Sequence, residues 1–242
     1  YGGAVFVLIY LAFLVLLGLP IMVMELSVGR ASKRSAAKSF DVLEKPGSKW
    51  HLFKYFAISG NYLLMMFYTT IAGWMLMYFI KMLTGSLSGL DNTGVETAFG
   101  SILASPGSMT AAMIAVVVLC FGICSVGLQN GVEKITKVMM IALFALIAVL
   151  AVHSCLLKGG IEGIKFYLAP DFSVFKENSV GEIVFAAMGQ SFFTLSIGMG
   201  SIAIFGSYID RDRSLMGEAL SITALDTFVA IMAGLIIFPA CT

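Results

Sequence analysis

Charge is what this sequence has least of. Acidic and basic residues together make up 12% of its 242 residues, against about 25% in soluble domains. A soluble chain of this length would need more polar side chains to cover its surface. Apolar residues reach 59% and come in long blocks, which places the chain among membrane proteins. A net charge of +1 offers no basic excess for nucleic acid, and none is expected as a partner. Cysteine occurs four times and histidine twice. Cys120 and Cys124 share a helix face, but no histidine or acid accompanies them. They read as small apolar packing residues rather than metal ligands, as do Cys155 and Cys241. A basic leader is lacking too. The first residue is Tyr1 and the apolar run starts almost at once, a pattern that predicts a processed, truncated or fragmentary chain.

What the sequence does have is span-length hydrophobicity. Crossing the hydrocarbon core takes about 20 apolar residues. Six stretches qualify: 4–24, 55–80, 109–126, 138–157, 183–209 and 219–240. All are expected to be helices, because a lone strand would leave its backbone unpaired in lipid. Basic residues set the orientation. The first connection carries Arg30, Lys33, Arg34, Lys38, Lys45, Lys49 and Lys54. The third has Lys134 and Lys137, and the fifth has Arg211 and Arg213. The alternate connections hold Lys81, Lys158, Lys165 and Lys176. Eleven basic residues against four put the first set in the cytoplasm. Both ends then lie outside, so the expectation is a partial transmembrane domain over 1–242 with one further span upstream. Its place is the lipid bilayer of the cell (inner or plasma) membrane, crossed several times.

Polar chemistry enters the membrane at few points. The fourth span contains the clean apolar run MMIALFALIAVLAV, whereas the fifth reads IVFAAMGQSFFTLSIGMGSIAIFGSYI. Two glycines and two hydroxyls fall within 196–201, near its middle. Glycine costs roughly 1 kcal/mol relative to alanine inside a helix. Small residues also serve close helix packing. The alternative is a broken helix, whose free carbonyls and amides hold a cation and a carboxylate. Asp226 is the second anomaly. It sits about a third of the way into the last span, where a carboxylate costs about 2.5–3.5 kcal/mol. No basic residue in that span offers a partner. A bound hard cation would satisfy it, and so would protonation and a bond to a neighbouring helix. Tyr68 lies mid-span in MMFYTTIAGW and wants a hydrogen-bond partner. Glu25 is expected in an interfacial ion pair with Arg30 or Lys33, and His153 at the outer interface.

These segments carry a resemblance. YGGAVFVLIYLAFLVLLGLPIMVMELSVGR resembles the second helix of the neurotransmitter:sodium symporter family, FYTTIAGW its third, GLQNGVEKITKVMM the start of its fifth, and GQSFFTLSIGMG its broken sixth. The match is ordered and covers essentially the whole chain. It implies an all-α membrane protein whose six transmembrane helices form helices two to seven of a LeuT-type inverted-repeat fold, one of them broken. The implied role is sodium-coupled symport of a neutral, hydrophobic or aromatic, amino acid by alternating access, as in the family's bacterial members. Sodium is the implied ion, and chloride dependence is not predicted.

Residue by residue, the resemblance implies that Tyr68 gives its hydroxyl to the substrate carboxylate. Phe193, Thr194 and Ser196 supply oxygens for the substrate ammonium. Leu64, Phe193 and Met199 line the side-chain pocket. Gln190 and Phe193 form the outer gate. Thr194 and Asp226 are ligands of the sodium ion that touches the substrate. There are departures. The family's first and eighth helices, which complete the sodium sites, have no counterpart in these residues. Many relatives carry Asn where Asp226 stands. Gly131 is followed ten residues later by Ile141, where some bacterial members have proline and an unwinding helix. Met199 stands where a bulky aromatic often sits; its flexibility suits a large substrate. A split or inactive fragment, active only with the missing transporter helices as partners, is the other expectation. No intramembrane catalytic constellation is legible, so an enzyme is not expected.

Overall fold

Helix is the regular structure throughout the described residues of the computed structural model. Described are residues 3–127, 131–156, 160–173, 175 and 179–241. Outside them lie Leu157, Lys158, Lys176 and residues 128–130 of the fifth-helix motif; the side chain of Cys241 is also not described.

The first apolar block forms α1 (Gly3–Phe13), a π-turn (Leu14–Gly18) and α2 (Leu19–Ser32) without interruption. Pro20 accounts for the turn. It has no N–H for the carbonyl of Leu16, and its ring crowds that carbonyl. The wider turn relieves both, with the Leu19 N–H donating to the Leu14 carbonyl. A short α3 (Ala36–Leu43) and a 3-10 turn (Trp50–Leu52) lead into α4 (Phe53–Leu83). Then come α5 (Asn92–Leu103), α6 (Pro106–Ser125), α7 (Glu133–Cys155) and α8 (Gly160–Leu168). The order closes with α9 (Val180–Thr194), α10 (Ser201–Gly206) and α11 (Leu215–Cys241).

Among the described residues, five helices are long and apolar enough to cross a membrane: Gly3–Ser32, Trp50–Leu83, Pro106–Ser125, Glu133–Cys155 and Leu215–Ala240. The remaining expected span, 183–209, is divided between α9 and α10. Outward-facing apolar side chains are the rule. No residue of α6 is buried, and Val118, Leu119 and Phe121 all stand exposed. That surface fits lipid rather than water.

The chain divides into two units, Tyr1–Ser59 with Ile141–Thr242, and Gly60–Met140. In the second unit the Trp74 indole N–H donates to the Met109 sulfur at 3.1 Å, and Trp74 and Tyr78 both meet Phe99 edge-on. Asp91 caps α5 by accepting from the Gly94 N–H at 2.8 Å and the Thr93 hydroxyl at 2.9 Å.

The first unit holds the buried core, built from Tyr10, Leu14, Met22, Leu26, Leu195 and Ile197 among others. Here α9 packs on α1, and α10 packs on α2. The second contact is reciprocal. A Cβ on Gly29 would overlap the carbonyl of Ala203, and one on Gly206 would overlap that of Leu26. Small residues let the two backbones touch. Gly29→Ala is therefore expected to destabilise the folded protein by about 1–3 kcal/mol. Gly122→Ala, which adds a methyl into open space inside α6, is not destabilising and gains up to about 1 kcal/mol of helix propensity. Thermal aggregation followed by size-exclusion chromatography in detergent measures both.

Candidate functional site

The site grows from the interruption between α9 and α10. Helix α9 ends at Thr194, and residues 195–200 do not continue it. Ser196, Gly198 and Gly200 have φ of 51°, 91° and 73°. Glycine takes such angles without strain, whereas serine pays for them. Ser196 is repaid locally: its N–H donates to the Phe193 carbonyl at 3.2 Å, and its own carbonyl accepts the Ser201 hydroxyl at 2.8 Å. The broken helix expected from 196–201 is thus what the chain forms.

Glu25 holds the lower lip of the break. Its Oε1 accepts the Gly198 N–H at 2.5 Å, its buried Oε2 has no hydrogen-bond partner, and the amides of Gly200 and Ile202 lie near the carboxylate. The expectation of an ion pair with Arg30 or Lys33 is corrected. Arg30 Nη1 donates instead to the Arg213 carbonyl at 2.8 Å, and Lys33 Nζ to the Ile209 carbonyl at 3.0 Å. Amides freed by the break need an acceptor in a medium without water, and an α2 carboxylate one helix away supplies it. The arginine and lysine cap carbonyls after α10.

The expected site residues fall as follows. Phe193 and Thr194 close α9, Gln190 lies one turn earlier and is exposed, and Ser196 and Met199 are in the break. Asp226 lies in the first half of α11. Leu64 and Tyr68 stand four residues apart on one face of α4, in the second unit.

Sequence reasoning missed a residue near Thr194. The Tyr10 hydroxyl of α1 lies close to the Thr194 hydroxyl, and the charges of Asp226 and Tyr167 also reach it. The Thr194 contact lacks hydrogen-bond geometry, so the buried Tyr10 oxygen has no partner. Asp226 Oδ2 and the adjacent Thr227 Oγ1 are likewise buried and unpartnered. Buried polar oxygens in that condition are costly. Hydroxyl and carboxylate oxygens are the donors that a small hard cation prefers. The signal for Tyr10 was available: it is the sole polar side chain in 4–24.

Comparisons with known proteins give the family. The sequence model of the Sodium:neurotransmitter symporter family matches residues 1–92 and 92–241. An uncharacterized sodium-dependent transporter of Bacillus subtilis, YhdH, is 36% identical over 239 residues, which is 99% of this chain and 52% of that protein. The sodium-dependent neutral amino acid transporter B(0)AT2 of Rattus norvegicus is 24% identical over 265 residues, covering 98% of this chain and 36% of that protein. Among solved structures, MhsT in complex with L-phenylalanine superposes with a TM-score of 0.89 at 37% identity, over 99% of this chain and 53% of that one. The chain spans about half the length of the relatives named first. With an interrupted helix, a LeuT-type all-helical fold and a family match along nearly its whole length, this chain belongs to the sodium:neurotransmitter symporter family.

Proposed function

We propose that the chain carries the binding centre of a sodium-coupled amino-acid symporter of the cell membrane. The observation that carries this reading is the buried, unpartnered oxygens of Tyr10 and Asp226, with Tyr10 close to Thr194 at the end of α9. In this reading sodium is a transported ion, held by Thr194 and Asp226 with Tyr10 close by. The substrate ammonium is taken by oxygens of Phe193, Thr194 and Ser196, and its carboxylate by the Tyr68 hydroxyl. Leu64, Phe193 and Met199 surround the substrate side chain, and Gln190 with Phe193 closes the outer side. A methionine at 199 adapts to bulky substrates. That L-phenylalanine occupies the similar MhsT, and that B(0)AT2 is a neutral amino acid transporter, supports a neutral hydrophobic or aromatic substrate.

Coupling follows from charge. A cation beside the substrate carboxylate stabilises it, so each ligand raises the affinity of the other by the same factor. Alternating access then requires only that the filled and empty centres favour different arrangements of the surrounding helices.

Substrate binding tests the Tyr68 assignment. Tyr68→Phe removes one hydroxyl and keeps the ring. Losing a hydrogen bond to a charged group costs about 1.5–3 kcal/mol, so substrate affinity should fall roughly ten- to a hundredfold. Isothermal titration of purified full-length transporter with L-phenylalanine, at saturating sodium, reads this directly. An unchanged Kd removes Tyr68 from the carboxylate site.

A further inference from the structure

The connection between α2 and α4 has an uneven charge economy. Its two acids are consumed inside the segment. Asp41 pairs with Lys54 at 3.3 Å. Glu44 accepts from the His51 N–H at 3.0 Å and the Ser48 hydroxyl at 3.1 Å, and meets the His51 ring at 2.8 Å. Desolvation pushes the Glu44 carboxyl up, but these bonds outweigh it and hold the group below the ordinary carboxylate value. Glu44 therefore stays ionised and engaged. The cations are left over. Among the described residues, the side chains of Arg34, Lys38, Lys45 and Lys49 are exposed and make no ion pair or hydrogen bond.

Apolar groups crowd the same short segment. Trp50 stacks on Phe40 at 6.0 Å yet remains 64% exposed. Val42, Leu43 and Leu52 are exposed as well. An open cleft lies between Phe40, Leu43, Glu44, Lys45, Ser48 and Trp50, its one acid already bonded to His51 and Ser48. The segment leads directly into α4, whose first residues present Tyr55 and Phe56 outward. Both flanking helices belong to spans, so Trp50 stands at the level where a span meets the head groups. Tryptophan favours that level.

We propose that residues 34–52 form a docking surface for anionic phospholipid of the cytoplasmic leaflet. Arg34, Lys38, Lys45 and Lys49 meet the head-group phosphates, while Val42, Leu43, Trp50 and Leu52 enter the acyl boundary. Three observations favour lipid over a soluble anion: the unpaired cations, the exposed apolar groups interleaved with them, and direct continuity with two spans. This reading does not depend on what the broken helix binds.

The test uses the full-length transporter in nanodiscs of phosphatidylcholine alone or with phosphatidylglycerol. The lysines are changed together, Lys38→Gln, Lys45→Gln and Lys49→Gln. A second variant, Lys134→Gln with Lys137→Gln, controls for charge elsewhere. Each lysine near an anionic surface is worth about fivefold in lipid binding. The triple variant should therefore lose phosphatidylglycerol affinity on the order of 100-fold at low salt, and less at high salt. Native mass spectrometry counts the retained lipid. Hydrogen exchange of the wild-type protein should show 36–52 protected in phosphatidylglycerol nanodiscs and open in phosphatidylcholine. Equal retention of the two lipids, or equal losses in the two variants, overturns the proposal. So does an exchange pattern that ignores the head group.

Discussion

Asp226→Ala should leave the full-length transporter unable to bind substrate at ordinary sodium concentrations. The change takes away the carboxylate whose charge reaches Tyr10. It also leaves the Tyr10 and Thr227 oxygens, already unpartnered, to hold a cation without a countercharge. Breaking a buried charge pair costs about 3–5 kcal/mol, which is roughly a hundred- to several-thousandfold in sodium affinity. Asp226→Asn keeps an oxygen and loses only the charge, so its loss should be smaller. Linkage makes the prediction specific. Substrate affinity of the Asn variant should fall at limiting sodium and recover at high sodium. Substrate titrations at several sodium concentrations decide the matter. A sodium curve that does not move in the Asn variant would make Asp226 a neutral structural acid.

Glu25→Ala is expected to be nearly as damaging, by a different route. The amide of Gly198 loses its acceptor, and those of Gly200 and Ile202 lose a nearby carboxylate. Each amide that water does not reach costs about 1–3 kcal/mol. The break should loosen or re-form as helix, and substrate binding should disappear with it. Glu25→Gln retains one acceptor oxygen for Gly198 and should keep a measurable fraction of binding. Hydrogen exchange at 198–202 separates this from a local charge effect. Fast exchange in the Ala variant and slow exchange in the Gln variant are expected. Identical protection in both would remove Glu25 from the capping role.

Much of this architecture was legible because lipid leaves few choices. Long apolar blocks must be helices, and a cluster such as Ser196–Gly198–Gly200 stands out where every glycine is costly. Asp226 was conspicuous for the same reason. The proposed pairing of Thr194 with Asp226 rests on resemblance, since 32 residues separate them. Tyr10 was passed over because a single aromatic in an apolar run reads as packing. Glu25 was misassigned because nearby basic residues offered a local partner, whereas its true partners lie 173 residues away and are backbone groups. Backbone acceptors and donors leave no mark in a sequence. The helices α3, α5 and α8 fell inside expected connections, being too short to register at span length. The π-turn was hidden too, although Pro20 placed it.

A newly made segment is retained in the bilayer on length and apolarity. Helix α9 has 15 residues and α10 has six, and at 1.5 Å per residue neither reaches across about 30 Å of hydrocarbon. The stretch between them exposes amides that lipid cannot serve. Yet what it needs is already resident by the time it is synthesised. Helix α2 has laid down Glu25 for the free amides and a bare glycine surface for α10. The order of elements along the chain is therefore also an order of assembly, in which the receiving helix precedes the segment least able to enter the membrane by itself.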